Sequence, residues 1–275
     1  MEPGIYYGLP LEALIEEDAV SYSTLKNIAI APSYLKWRKE NPKEATPLMT
    51  MGSATQYLVT HSHVWEDRYR DTEVARRGTK AWKDAVEDAG DRICLTEGEI
   101  EKVFGMADSI RHCPDLLEFS LPRGTGVAET VVVWNDSTTG VKCKIALDWW
   151  WEEYNRIDEM KTTEKVGKDA FAKQVANQYW HVQAAMAVDA IATVTNQQWY
   201  PTFRWIGVER KPPHMLAVRR ASKATIDLGR WQYTKWLRLY ADCKESGLWP
   251  GYSTDGVEEL ELPSWEHWRS MQEDE

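Results

Sequence analysis

Asp148, Glu159 and Lys161 are the residues of this chain whose types and spacing could do chemistry. Asp148 ends the run Val-Lys-Cys-Lys-Ile-Ala-Leu-Asp, and after a short turn Glu159 and Lys161 follow within Arg-Ile-Asp-Glu-Met-Lys-Thr-Thr. Both runs are strand-like, and alternation places Glu159 and Lys161 on one face about 6.7 Å apart. If the strands pair, Asp148 lies beside them. Carboxylates suit Mg²⁺, and a lysine can orient water or stabilise charge on phosphorus. The pattern predicts metal-dependent phosphodiester hydrolysis.

Three further polar residues could complete such a site. Glu129 lies on the strand-like run before Asp148, where it is either a further metal ligand or an ordinary exposed residue. Tyr179 and Gln183 lie four residues apart on a helical segment and so share one helix face. Gln183 interrupts an apolar run, and a buried amide there needs hydrogen-bond partners. A site with water, phosphate or lysine would supply them, as would a backbone group at the edge of the core.

The order of helical and strand-like segments predicts the fold class. The order α-β-β-β-α-β is typical of an α/β fold in which a central mixed β-sheet is flanked by helices. Thr96 and Glu99 form a capping-box pattern that opens one of the helices. Helices are predicted at 21–40, in two pieces broken at Pro32, and at 48–61, 79–89, 96–112, 169–193 and 222–245, with a loosely structured stretch after 61 and strands at 127–134, 141–151, 156–162, 202–209 and 214–219.

Length and composition limit how the chain is organised. The 275 residues, of which 43% are hydrophobic, predict a single domain with one good core. No stretch approaches the roughly 18 uninterrupted apolar residues of a membrane span, and the first residues lack the basic and apolar segments of a signal peptide. We therefore expect a cytosolic protein with no membrane partner. The expected parts of the domain are a helical part at 1–95, a catalytic core at 96–220, and a helix with an acidic tail at 221–275.

The cysteines do not form a metal-binding pattern. No Cys-x-x-Cys occurs, so zinc or iron–sulfur ligation is disfavoured and free cytosolic thiols are expected. The four widely spaced positions are Cys94, Cys113, Cys143 and Cys243.

The charge of the chain is uneven along its length. The net charge is −10, from 33 Lys and Arg against 43 Asp and Glu. Residues 1–20 hold five acidic and no basic residues, and residues 255–275 hold eight acidic residues and one basic residue. The remainder has 32 basic against 30 acidic residues. A local basic channel for nucleic acid is therefore compatible with the acidic total.

Over nearly its whole length the chain resembles the PD-(D/E)xK nuclease superfamily. The site residues that carry the resemblance are Glu129, Asp148, Glu159, Met160, Lys161, Tyr179 and Gln183. The chain is most similar to phage and prophage recombination exonucleases of the exonuclease VIII type, with lambda exonuclease more distant. The supporting segments are 23–26 (Ser-Thr-Leu-Lys) with 31–34 (Ala-Pro-Ser-Tyr), 41–42 (Asn-Pro) leading to 51–56 (Met-Gly-Ser-Ala-Thr-Gln), 139–144 (Thr-Gly-Val-Lys-Cys-Lys), 158–163 (Asp-Glu-Met-Lys-Thr-Thr) and 262–265 (Leu-Pro-Ser-Trp).

The resemblance implies a restriction-endonuclease-like core with two Mg²⁺ or Mn²⁺ ions per site. Asp148 and Glu159 would bind metal together with the Met160 carbonyl, Lys161 would steady the attacking water, and Glu129 and Gln183 would support the site. It also implies processive 5′→3′ digestion of one strand of duplex DNA from an end. The implied assembly is a homo-oligomeric ring, a trimer or tetramer, with a single-strand annealing protein as partner. The implied setting is the cytoplasm of a bacterial host, with the chain encoded by a phage or prophage.

One position departs from the family pattern. Gln56 stands where the family has the histidine of a Gly-[Ser/Thr]-Ala-x-His helix. Its carbonyl oxygen suits Mg²⁺, but many metals prefer imidazole, so metal affinity or metal choice is expected to differ. His61 and His63 lie beyond the aligned position and are expected on the surface.

Two other functions and two roles for tryptophan stay open. The same fold serves endonucleases of restriction or repair type, and a non-catalytic DNA-binding or assembly module is a further alternative.

The chain has 15 tryptophans, three of which, Trp149, Trp150 and Trp151, follow Asp148 directly. Aromatic rings can stack on unpaired bases, or fill a core or subunit interface; we favour the second role for most of them.

Overall fold

A mixed six-stranded sheet is the centre of the molecule. The computed structural model describes residues 1–9, 17–116, 126–197, 199–252, 256–257 and 259–264. The strands are β1 (Gly4–Tyr6), β2 (Tyr69–Asp71), β3 (Ile93–Leu95), β4 (Gly126–Asn135), β5 (Lys142–Trp151), β6 (Arg156–Thr163), β7 (Thr202–Glu209) and β8 (Leu216–Arg220). The large sheet has the order β1-β4-β5-β6-β7-β8, and β2 and β3 form a separate parallel pair. Among the described strands of the large sheet, β6 and β7 pair in parallel and the other neighbours pair antiparallel.

Helices cover both faces of this sheet. They are α1 (Tyr22–Ile28), α2 (Pro32–Glu40), α3 (Pro47–Thr60), α4 (Trp65–Arg68), α5 (Lys80–Ala89), α6 (Glu97–Arg111), α7 (Lys168–Asn177), α8 (Trp180–Thr195) and α9 (Lys223–Ser246), with a 3₁₀ turn at Ser62–Val64. The predicted fold class, a mixed sheet flanked by helices, is confirmed. Among the described residues, none of the helices is long and apolar enough to cross a membrane.

Local sequence signals explain most of these elements. A proline at the first helical position begins α2 and α3, where the missing N–H has no intrahelical partner to lose. The predicted capping box is present, because Glu99 accepts the backbone N–H of Thr96 at 2.9 Å and α6 begins at the next residue. Strands β4, β5 and β6 begin and end within one residue of their predicted bounds.

Two sequence predictions about secondary structure are wrong. The single helix expected at 169–193 is two helices, because Gln178 ends α7 and Tyr179 adopts a left-handed backbone (φ 58°) before α8 begins. The stretch after residue 61 is not loose, since it holds the 3₁₀ turn, α4 and β2. Strands β1, β2 and β3 are three residues long each, too short for alternation to reveal them.

Apolar packing divides along the two faces of the sheet. One face packs on the alanine-rich helix α8 and on α9, with Leu147, Trp150 and Ile157 in that core. The other face places Trp149 and Trp151 against α6. All three tryptophans are at most 4% exposed, so they are core residues, and stacking on DNA bases is excluded for them. The four cysteines are free thiols, as expected.

Candidate active site

Asp148 lies at the point where β5 and β6 separate. The two strands pair through Trp149–Trp151 and Arg156–Asp158, and the pairing stops at Asp148. Its Oδ2 accepts the backbone N–H of Met160 at 2.7 Å, and its Oδ1 accepts Nε2 of Gln56 at 2.9 Å. The strand pairing on which the predicted site depended is present, and α3 adds Gln56 to the same place.

Glu159, Lys161 and Gln183 form a closed triangle of hydrogen bonds. Lys161 Nζ donates to Glu159 Oε1 at 2.8 Å and to Gln183 Oε1 at 2.9 Å. Gln183 Nε2 donates to the same Glu159 oxygen at 2.6 Å. Glu159 is 4% exposed, so these two donors take the place of water around its carboxylate. The partners that the sequence required for Gln183 are therefore a carboxylate and an ammonium group.

The two carboxylates stand in an electrostatic setting that favours a cation. Burial raises the pKa of Asp148 well above its usual range, and the negative charge of Glu159 raises it further. Lys161, the Met160 N–H and the Gln56 amide act in the opposite direction without restoring the usual value. A divalent cation between the carboxylates would offset the repulsion that the protein leaves uncompensated.

The donor set fits a hard cation. Within the described ranges, no group of three or more His, Cys, Asp or Glu side chains could hold a metal ion. The available ligands are the carboxylates of Asp148 and Glu159, the carbonyl of Met160 and the amide oxygen of Gln56. All of these are oxygen atoms, which suit Mg²⁺ with retained waters or Mn²⁺.

The site opens into a cleft of about 460 Å³ between α3, β6 and the start of α8. Gly52 permits the close approach of α3, because a Cβ there would lie 3.3 Å from Thr162 Oγ1. The indole of Trp180 lies 5.4 Å from Lys161 Nζ. The residues lining the cleft are Leu48, Met49, Gly52, Ser53, Gln56, Asp148, Glu159, Met160, Lys161, Thr162, Trp180 and Arg210.

Glu129 lies next to this group but faces elsewhere. It stands opposite Asp148, because the neighbouring pairs are Ala128 with Trp149 and Thr130 with Leu147. Its backbone is left-handed (φ 52°), a conformation that is rare and strained for a residue with a side chain. Burial raises the pKa of Tyr69, and the Glu129 carboxylate adds to the rise, so the carboxylate lies near Tyr69. Glu129 does not line the cleft, and its role as a metal ligand stays a prediction.

Tyr179 is close to the site in sequence but packs away from it. Its ring makes an edge-to-face contact with Trp236 at 5.1 Å. Its carbonyl accepts the backbone N–H of Gln183 at 3.3 Å, which helps to begin α8. The structure therefore brings together Gln56, Asp148, Glu159, Met160, Lys161 and Gln183, and it leaves Glu129 and Tyr179 outside the hydrogen-bonded group.

Three residues of the site region were not singled out as site residues in the sequence. Trp180 lies over Lys161, and Arg210 lines the cleft and donates to the Thr162 carbonyl at 3.0 Å. Lys26 of α1 reaches Gln178 Oε1 at 3.1 Å. The signal for Arg210 was its place directly after β7, but only the parallel pairing of β6 with β7 makes that end of the strand a neighbour of Lys161. Trp180 and Lys26 carry no such signal.

Comparisons with known proteins bear on the family and the fold of this chain. Residues 21–260 match the family model of a PDDEXK-like domain of unknown function (DUF3799). Among solved structures, the crystal structure of a putative exonuclease from Eubacterium rectale aligns with a TM-score of 0.61 at 11% identity, covering 95% of this chain and 98% of the other. At that identity the likeness shows the fold. The structure of SSO0001 covers 89% of this chain and 94% of the other at 11% identity, but its TM-score of 0.34 carries no argument. No curated protein sequence matches.

Proposed function

We propose that this chain, which belongs to the family of PDDEXK-like domains that its residues 21–260 match, is a nuclease of that type. In this proposal it is a metal-dependent DNA exonuclease. It hydrolyses one strand of linear duplex DNA from an end, in the 5′→3′ direction, to leave single-stranded tails for recombination. The name of the similar Eubacterium rectale protein, a putative exonuclease, supports digestion from ends. We place this activity in the cytoplasm of a bacterial host, with a phage or prophage as the source of the gene.

The observation that carries the proposal is the convergence of Asp148, Glu159 and Lys161 on one cleft. Asp148 and Glu159 would hold Mg²⁺ or Mn²⁺, with the Met160 carbonyl and the Gln56 amide oxygen as further ligands. The bound cation would polarise a phosphate oxygen and favour deprotonation of water.

In this proposal Lys161 positions the attacking water or the phosphate group. Its ammonium group has three donors, of which two are used by Glu159 and Gln183. The third donor can orient the attacking water or bind the phosphate oxygen on which charge develops. Gln183 fixes the ammonium group by bonding both partners of the ion pair.

The partners and the assembly are part of the proposal. The substrate is the end of a DNA duplex, the enzyme is a ring of three or four identical subunits, and a single-strand annealing protein receives the product. The oxygen ligand set supports Mg²⁺ or Mn²⁺ over softer metals.

The test uses linear duplex DNA labelled at either end, with Mg²⁺, and a covalently closed circle as the second substrate. The proposal expects degradation of the linear duplex from its 5′ ends and no cleavage of the circle. Comparing 5′-phosphate with 5′-hydroxyl ends then reveals the preferred end. Cleavage of the circle would establish an endonuclease instead, and no metal-dependent cleavage of either DNA would leave a binding module.

A further inference from the structure

Lys26 of α1 lies beside the active site, and within the part of the chain that the structure describes it forms no ion pair with a carboxylate. Lys26 Nζ donates to the side-chain oxygen of Gln178, and its neighbour Tyr22 donates its hydroxyl to the Gln178 carbonyl. Burial lowers the pKa of Lys26, and the positive charges of Lys161 and Lys43 lower it further. The half-buried ammonium group thus bonds a neutral amide and lies near two other cations. Such a group is suited to bind an anion.

The basic character continues along the chain onto α2. Residues 21–43 hold five basic residues and a single acidic residue. On α2 the ring of Trp37 is 50% exposed, and the guanidinium group of Arg38 lies 5.6 Å from its centre. Lys36 and Lys39 are exposed on the same helix. An exposed indole beside cations is the combination that binds unpaired nucleic acid, because backbone phosphates meet the cations and a base stacks on the ring.

Resting on the proposed nuclease function, we propose that α1, α2 and the loop that follows them form a track for a single DNA strand leading to or from the cleft. Lys26 and Lys43 bind backbone phosphates next to the reacting one, and Trp37 stacks on an unpaired base. The track is selective for single strands, because the bases of an intact duplex are stacked on each other and offer no free face to the indole.

Binding without cleavage tests the phosphate contacts. The affinity of the full chain for a fluorescent 20-nucleotide oligo-dT is measured by anisotropy in EDTA at several salt concentrations. Each phosphate contact adds about 0.7 to the slope of log K against log salt for single strands. Lys26→Gln and Lys43→Gln should each weaken binding and reduce that slope by about 0.7. Lys83→Gln, an exposed lysine of α5 away from the cleft, is the matched control and should change neither.

Variants of Trp37 test whether its indole ring stacks on an unpaired base. Trp37→Ala should weaken oligo-dT binding by about fivefold or more, in line with the loss of one base–aromatic stack, and Trp37→Phe should retain most of the affinity. Binding of a blunt duplex should change little. The control is Trp199→Ala, because Trp199 is 78% exposed and its carbonyl accepts Asn155 at the far end of β5 and β6.

The outcomes separate this inference from the proposed function. If the wild type digests DNA and the Lys26, Lys43 and Trp37 variants bind oligo-dT as tightly as their controls, the track is wrong and the nuclease assignment stands. An equal loss of duplex binding in Trp37→Ala would also overturn the single-strand assignment. If the wild type neither digests DNA nor binds it, the proposed function and the track both fail. Circular dichroism confirms that each variant is folded, and Lys26→Gln keeps a polar group in reach of Gln178.

Discussion

The backbone N–H of Met160 donates a 2.7 Å hydrogen bond to Oδ2 of Asp148, so one strand presents its backbone to a side chain of the next. This bond occurs where the ladder between β5 and β6 has ended. It orients the carboxylate toward the strand that carries Glu159 and Lys161. The second Asp148 oxygen is bound by Gln56, so three elements determine where this carboxylate lies.

Replacement of Asp148 should abolish nuclease activity without loss of the fold. Asp148→Asn keeps the shape of the side chain and an oxygen for the Met160 N–H, but removes the negative charge that a cation needs. We expect no measurable Mg²⁺-dependent release of nucleotides from labelled linear duplex. Full activity in Asp148→Asn or Asp148→Ala would remove Asp148 from the site.

The same variant should be more stable than the wild type in EDTA. In the folded protein the pKa of Asp148 is raised by burial and by Glu159, so ionisation is disfavoured there. A raised pKa contributes stability at low pH, and that contribution is lost as the pH rises through the folded value. At pH 7 the disfavoured ionisation of Asp148 lowers the free energy of unfolding of the wild type. Asp148→Asn has no carboxyl group there and avoids that loss. We expect a higher melting temperature for the variant by calorimetry at pH 7, with the difference shrinking as the solution is acidified.

Gln56 should set the metal requirement. Its amide contacts Asp148 at 2.9 Å, so a ligand at this position reaches the same cation. Gln56→His should lower the Mn²⁺ concentration needed for the half-maximal rate more than the Mg²⁺ concentration, because imidazole is the better ligand for transition metals and an amide oxygen already suits Mg²⁺. The measurement is a metal titration of the digestion rate. An unchanged titration in the variant would show that Gln56 does not reach the ions.

Gln183 should be required for activity and Tyr179 should not. Gln183→Leu removes the amide that holds both Lys161 and Glu159. Groups that orient a metal ligand typically contribute 10- to 100-fold to activity or metal affinity, and we expect a loss of about that size in the digestion rate. Tyr179→Phe is the control, because its ring packs on Trp236 and its hydroxyl is outside the triangle. A loss in Tyr179→Phe as large as in Gln183→Leu would instead support the catalytic role that the sequence indicated.

The comparison of Gln183 with Tyr179 also explains what sequence reasoning could and could not supply. Helical spacing correctly placed Gln183 on a face that needed polar partners, because a polar residue in an apolar run is a local signal. The same spacing placed Tyr179 inside the helix, whereas it precedes α8 in a left-handed backbone conformation, because the break between α7 and α8 uses no glycine or proline. Alternation within β6 placed Glu159 and Lys161 on one face, and the pairing of β5 with β6, on which the predicted site depended, brings Asp148 beside them. The positions of Lys26 and Arg210 depend on which elements pack together, and no local pattern encodes that.

The packing of α8, which carries Gln183, should depend on Gly229. A Cβ at residue 229 would lie 2.1 Å from the carbonyl oxygen of His181, so α9 can approach α8 only with glycine there. Gly229→Ala gains helix propensity of up to about 1 kcal/mol, but the forced shift typically costs about 1–3 kcal/mol. We expect a net loss in the free energy of unfolding by urea denaturation. Gly98→Ala, where a Cβ meets nothing within 4 Å, should be neutral or stabilising.

The protein should assemble into a ring that holds its DNA during many cleavages. The excess of acidic over basic residues lies at residues 1–20 and 255–275, while the remainder has 32 basic against 30 acidic residues. A closed cyclic assembly, the usual arrangement of identical subunits, could turn the basic residues of that body toward a central channel. Because phosphate contacts release counterions, affinity for duplex DNA should fall steeply with salt. Light scattering should give the mass of three or four subunits, and digestion under excess competitor DNA should continue on the first substrate. A monomer that releases its DNA after each cleavage would rule out the ring.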